Sequence, residues 1–233
     1  MKKKLIIIGI GETAKLAYEY FMYDSNYEPY AFSVNRKYRN IDFLYEIPVV
    51  DMEDLEQKYP INEYEVFVAI GSGQLNTERE KIYKYIKSLG FKLASYISSK
   101  SFIWQNVEIG ENCFIMENVT IQPFAKLGNN VVMFAGSLVA HSSNICDNCF
   151  ISSGSVVSGF CHIGFNTFLG ANSTISDNVN IGNFNYIGMG SVIHRNTEDN
   201  KLYYIDKITK KSSLSAVQVY ITEEENENQK IQF

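Results

Sequence analysis

Three histidines carry the only imidazoles of the chain: His141, His162 and His194. An imidazole titrates close to neutral pH, so it can take a proton from a hydroxyl or an amine and return it. Three imidazoles are also a zinc donor set, provided that they converge on one point. Cys146 and Cys149 form a CxxC, but no second pair completes a four-sulfur site. Close to the N-terminus, the apolar run Lys4 to Ile10 leads into Gly9-Ile10-Gly11-Glu12-Thr13-Ala14, and residues 15–23 read as a helix. A strand, a Gly-rich turn and a helix N-terminus offer backbone N–H groups and a positive dipole end to an anion. The same turn also serves simply to let strand and helix pack.

These residues must be positioned by two different kinds of structure. Stepping by six from Ile103 gives Ile109, Ile115, Ile121, Leu127, Met133, Val139, Ile145, Ile151, Val157, Ile163, Leu169, Ile175, Ile181, Ile187 and Ile193 without one insertion. The position two before each is small or β-branched throughout, apart from Asn185. Residues two apart point to the same side of an extended chain, so each hexad sends one large and one small side chain inward and then turns a corner. This is the pattern of a hexapeptide β-helix, a stack of coils with one continuous core. Cys113, Cys149 and Cys161 fall on the small inward position and read as small buried hydrophobes.

Ahead of the hexads, strands are expected at Lys4–Ile10, Tyr30–Val34, Ile47–Val50, Glu65–Ile70 and Phe91–Tyr96. Asp51 is placed to cap a helix running to about Tyr59. Thr77 and Glu80 read as a capping box opening a helix with Ile82, Tyr85, Ile86 and Leu89 on one face, ended by Gly90. Alternating strands and helices make a small doubly wound, Rossmann-like domain, whose ligands sit at the carboxyl ends of the strands. A dinucleotide fingerprint wants an acidic residue after the second strand, and here Asn35-Arg36-Lys37 stands there instead.

The hexads resemble the left-handed parallel β-helix of the hexapeptide acyltransferases, in which three hexads make one triangular coil. With Gly9-Ile10-Gly11 and the block Ala69-Ile70-Gly71, Asn76 and Arg79, nearly the whole chain resembles the PglD/NeuD-like sugar acetyltransferases. The resemblance implies a Rossmann-like nucleotide-sugar domain over residues 1–100 and a left-handed β-helix acyltransferase domain over 101–197; in the extension over 198–233 the alternation of Val217, Val219 and Ile221 reads as a strand covering the open end, ahead of an acidic tail. It implies acetyl-coenzyme A as acyl donor, no metal, and a homotrimer with its sites between subunits. The nucleotide-linked sugar would meet Gly9, Gly11, Glu12, Asn35, Gly71 and Ser72. That family usually has an acidic residue near Asn35.

In such a solenoid the residue one coil beyond His141 is Gly159. His141 would act as base, and the Gly159 N–H would face the thioester beside it. Val139-Ala140-His141 and Ser158-Gly159-Phe160-Cys161-His162-Ile163-Gly164 match the family stretch that carries the catalytic His and the coenzyme-contacting Gly. Two departures stand out. No carboxylate lies within five residues of His141, the next being Asp147, and a second His of some members appears as Phe150. Lys210 and Lys211, with Lys207, are placed to meet coenzyme phosphates or to form a solvated basic patch. A three-His zinc site, as in the related γ-type carbonic anhydrases, is not expected, because His141 and His162 differ by one coil and half a face.

The resulting expectation is acetyl-coenzyme A-dependent N-acetylation of a nucleotide-linked 4-amino-4,6-dideoxy sugar for glycan biosynthesis. The alternatives are sugar O-acetylation of the sialic-acid type or a non-catalytic trimeric sugar-nucleotide-binding scaffold. The 233 residues carry a formal charge of −5, which disfavours a nucleic-acid surface. No apolar run reaches membrane-spanning length, and Lys2-Lys3-Lys4 followed by a short apolar run reads as a first strand of a cytoplasmic protein.

Overall fold

The computed structural model describes residues 2–206. The N-terminal part is a six-stranded sheet in the order β3-β4-β2-β1-β5-β6. Its strands are β1 (Lys3–Ile8), β2 (Tyr27–Val34), β3 (Phe43–Leu44), β4 (Ile47–Asp51), β5 (Tyr64–Val68) and β6 (Lys92–Leu93). All neighbours pair in parallel except β3, which forms a hairpin with β4. The hairpin turns on Tyr45 and Glu46, both with positive φ, the backbone that a two-residue turn between twisted strands requires. Leu5 to Ile8 are at most 1% exposed because both faces of the central strand are covered. Helix α1 (Glu12–Tyr23) buries Ala14, Ala17, Tyr18 and Phe21, and helix α3 (Thr77–Ser88), after the single turn α2 (Leu55–Lys58), buries Arg79, Tyr83 and Ile86.

Three local expectations are corrected. The Thr77–Glu80 capping box does not form: Asn76 holds the N-cap in the left-handed region, and the Thr77 hydroxyl donates to the Gln74 carbonyl at 2.9 Å. Asp51 caps nothing with its side chain, because Arg36 and Arg39 take its oxygens. Tyr96 leaves the sheet and belongs to the solenoid, where it pairs with Phe114.

From Tyr96 onward the chain coils into a triangular prism of two-residue parallel strands, each paired with the strand 18 residues on, as Ile115 pairs with Met133, apart from the last pair, Tyr186 with Leu202, which is 16 apart. The first face runs from Tyr96–Ile97 to Leu202–Tyr203, the second from Phe102–Ile103 to Val192–Ile193, and the third from Glu108–Ile109 to Asn180–Ile181. The aliphatic column fills the interior with Cys113, Cys149 and Cys161 beside it, all three free and buried. Every sixth residue from Asn112 to Gly190 has positive φ and makes a corner. Asn and Gly take that conformation at low cost, and they hold every corner except Phe124, Ser142, Phe160 and Phe184.

Asn185, the polar break in the inward pattern, is fully buried. Its side-chain amide donates to Thr197 and to the Glu198 carbonyl, and its oxygen accepts the Lys201 N–H. It ties down the segment that leads to the last first-face strand.

The two parts are joined over the first face. Phe114, Val132 and Phe150 share one apolar cluster with α1 and β1. Along the adjoining corner runs a ladder of buried amides: Asn112 donates to Asn130 at 2.7 Å, Asn130 to Asn148 at 2.9 Å, and Asn148 to Asn166 at 3.3 Å. Asn166 donates to Glu80 on α3, and Asn112 accepts the Val68 N–H at the end of β5. Arg79 lies beneath, donating to the carbonyls of Val68, Ile70 and Asn112. Burial pushes its guanidinium down to about 9, so it remains charged at neutral pH. Asn76 donates to the Asn148 carbonyl. Asn76 and Arg79 therefore fasten the α/β sheet to the solenoid.

Candidate active site at the corner of His141

His141 lies at the corner between the second-face strand Leu138–Val139 and the third-face strand Asn144–Ile145. Its N–H is accepted by Gln122 Oε1 at 3.1 Å, and Ser142 makes the left-handed turn behind it. The side chain is exposed. Its ring meets Phe160 edge-on, with centroids 4.9 Å apart and planes at 82°.

The ring also lies against Gly159. A Cβ on Gly159 would stand 2.7 Å from His141 Cε1 and 3.0 Å from Nε2, so any side chain there would displace the imidazole. The Gly159 N–H is not a free donor, however. It already donates to Asp177 Oδ1 at 2.8 Å. This corrects the expectation of an open N–H beside His141: what Gly159 provides is room. Asp177 stands two coils from His141 and so lies far outside the residues that flank it in sequence. Taking the 18-residue step twice finds it.

Phe124 and Phe160 occupy the left-handed position of this same corner, one coil before and one coil after Ser142. They are 64% and 56% exposed. A bulky side chain at positive φ is strained, and such strain gathers at functional sites. The sequence signal was available: a Phe at a corner position that Asn or Gly fills in most coils.

The remaining site residues predicted from sequence gather at the carboxyl edge of the α/β sheet. Gly9 has φ +120, and a Cβ there would approach the Ala69 carbonyl oxygen to 2.9 Å, so it lets the ends of β1 and β5 close together. Gly11 is the N-cap of α1, open to its surroundings and without a side-chain cap. Glu12 pairs with Lys15 at 2.6 Å. Gly71 and Ser72 follow β5 and are half-buried. Asn35 accepts the Lys37 N–H at 3.3 Å and so caps a short turn. Where the end of β2 lacks an acidic residue, the neighbouring strand β4 supplies Asp51, in register with Val34. Arg36, at 2.9 Å, and Arg39, at 3.3 Å, hold its carboxyl below the usual range. These three residues border a cavity of about 340 Å³ that also meets Asn40, Ile41 and Asp42.

The other singled-out residues are elsewhere. Phe150 lies on the first face, stacked on Phe168 at 5.2 Å. His162 Nε2 is 3.6 Å from Cys146 Sγ, so its neighbours are not those of His141. His194 is exposed near the last coil. Lys207, Lys210 and Lys211 lie outside the described residues. No group of three His, Cys, Asp or Glu side chains among the described residues is arranged to hold a metal ion.

The sequence profile of the bacterial transferase hexapeptide family (six repeats) matches residues 106–141 and 160–195. PerB from Caulobacter crescentus, solved in complex with CoA and GDP-perosamine, is 25% identical, with a TM-score of 0.73 over 85% of this chain and 92% of that one. The repeats and this likeness support a PglD-like family of hexapeptide-repeat acetyltransferases. The β-helix of this acetyltransferase is accordingly left-handed. The acetyltransferase domain of PglB from Neisseria gonorrhoeae, also solved with acetyl coenzyme A, shares the fold at 23% identity. Its TM-score is 0.78 over 86% of the acetyltransferase and 96% of that chain. WeeI from Acinetobacter baumannii shares the fold at 22% identity and a TM-score of 0.69, covering 86% and 96%.

Proposed function

We propose that this acetyltransferase transfers the acetyl group of acetyl-coenzyme A to the amine of a nucleotide-linked 4-amino-4,6-dideoxy sugar. The observation that carries the reading is the exposed His141 imidazole, seated against a glycine whose missing side chain leaves the ring undisplaced. An acceptor nitrogen reaching the exposed ring can give its proton to His141 as it attacks the thioester carbon, and the departing sulfur can take the proton back. Likeness to PerB, solved with CoA and GDP-perosamine, supports both substrate classes.

The proposal includes an assembly of three chains with the site between them. The α/β sheet sits on the first face, whereas His141 occupies the corner opposite that face. The prism is on the order of 15 Å across, about five extended residues at ~3.3 Å each. A sugar held at the α/β edge of one chain is thus turned away from the His141 of that chain, and a neighbouring copy can present its own. Phe124 and Phe160 beside His141 supply exposed apolar surface for such a contact. No helix among the described residues is long and apolar enough to cross a membrane.

The test is release of coenzyme A thiol from acetyl-coenzyme A with UDP-, TDP- and GDP-linked 4-amino-4,6-dideoxyhexoses, with His141→Asn in parallel. The expected result is turnover with one sugar nucleotide, lower by about 100-fold or more in the variant. Turnover that survives the substitution removes His141 as the base. Turnover confined to hydroxyl acceptors replaces the reading with O-acetylation.

A further inference from the structure

Asp177 is exposed, and its one contact in this corner is the hydrogen bond that it accepts from Gly159. Capping a corner N–H from a neighbouring coil is a routine task in this solenoid, done at other corners by the carboxylates of Asp147 and Asp199. In the same corner, Asn106 Oδ1 accepts the Phe124 N–H at 3.0 Å and Gln122 Oε1 accepts the His141 N–H at 3.1 Å. Both of those caps are neutral amides. Asp177 alone among the three brings a carboxylate, and it forms no ion pair with a described residue.

The position of that charge is informative. The point that a Cβ on Gly159 would fill is 3.0 Å from His141 Nε2 and 3.2 Å from Asp177 Oδ1. One base nitrogen and one anionic oxygen therefore flank Gly159, close enough to each other for a single group at the surface to meet both. An ammonium carries three N–H donors and a positive charge, so it can satisfy both at once. A hydroxyl has one proton and no charge. It can donate to His141 or to Asp177, and it leaves the other unpartnered.

We infer that Asp177 is the acceptor-positioning residue, which docks the ammonium form of the acceptor against His141 and selects an amine over a hydroxyl. This inference rests on the acetyl-transfer reading above and deepens it. The bound R–NH3+ gives one proton to His141 Nε2, and the resulting amine attacks the thioester carbon, forming the C–N bond. As the C–S bond breaks, the sulfur receives the proton held by His141 and leaves as the free thiol. The second proton passes from the new amide nitrogen to Asp177 and from there to water, so one proton is released per turnover.

Asp177→Asn keeps an oxygen for the Gly159 N–H and removes the charge. With the 4-amino sugar nucleotide that the wild type turns over, KM for the sugar is expected to rise about ten-fold or more. KM for acetyl-coenzyme A and the melting temperature are expected to stay unchanged. A variant with unaltered sugar KM overturns the inference, and so does one in which both KM values rise together as the fold loosens. Binding keeps the two readings distinguishable. Affinities of wild type and variant are compared for 4-amino sugar nucleotides and their 4-hydroxy counterparts, without acetyl-coenzyme A. Loss of the amine preference in the variant supports Asp177 even if no donor is turned over, while a preference that survives the substitution overturns it.

Discussion

His141 and Gly159 meet across one coil, with the imidazole so close that a Cβ on Gly159 would stand 2.7 Å from Cε1. Gly159 has no positive φ, so an alanine is conformationally tolerated there. The collision is with a side chain on the surface, which can rotate away. Gly159→Ala is expected to lower kcat/KM by about 100-fold through loss of base geometry while changing unfolding free energy by less than about 1 kcal/mol. Steady-state kinetics beside a urea melt check both halves.

Phe160 presents the converse trade. It sits at φ 57, where most corners use Asn or Gly, and its ring packs edge-on against His141. Phe160→Asn is expected to stabilise the fold by about 0.5–1 kcal/mol by relieving the backbone. The same change should cost about five- to ten-fold in kcat as the imidazole loses its support. A variant that loses stability would show that the ring is held by packing rather than strained.

The amide ladder should be unforgiving. Asn130 is 1% exposed, accepts from Asn112, donates to Asn148 and holds φ 59. Asn130→Gly keeps the backbone and loses the hydrogen bonds, for a cost of about 2 kcal/mol. Asn130→Ala adds the left-handed penalty and should cost about 1 kcal/mol more. Chemical denaturation of the two variants separates hydrogen bonding from conformation.

Asp24 ties the end of α1 to the first coil. It accepts from the Ser99 N–H at 2.9 Å, the Tyr96 hydroxyl at 2.6 Å and the Ser98 hydroxyl at 3.2 Å. The hydrogen bonds from Ser99, and next from Tyr96, hold its carboxyl down to about 2, against 3.8 unperturbed. A lowered carboxyl contributes stability that is complete above the unfolded value and lost as pH falls through the folded one. Stability should therefore decline between about pH 4 and pH 2, with Asp24 accounting for about 1 kcal/mol after allowance for solvent screening. Asp24→Asn should flatten that part of the curve, as followed by urea unfolding at stepped pH.

The sequence determined the solenoid, its core and the meeting of His141 with Gly159, because a strict hexad makes contact a matter of counting: residues 18 apart stack. It also marked the carboxyl edge of the α/β sheet through Gly9, Gly11 and Gly71. Tertiary structure alone decided what competes for each group. The Thr77 hydroxyl and the Asp51 carboxylate looked like helix caps in local sequence, but stronger partners were brought to Asp51 by Arg36 and Arg39, and Asn76 displaced Thr77 from the cap. The Gly159 N–H looked open until the next coil placed Asp177 on it. Asn76 and Arg79 resembled ligand-domain residues and proved to be the fastening between two domains, a contact that spans dozens of residues in sequence. Periodic packing is local in the repeat and legible in one dimension. The pairing of polar groups depends on every donor and acceptor within reach, and only the folded chain fixes which of them arrive.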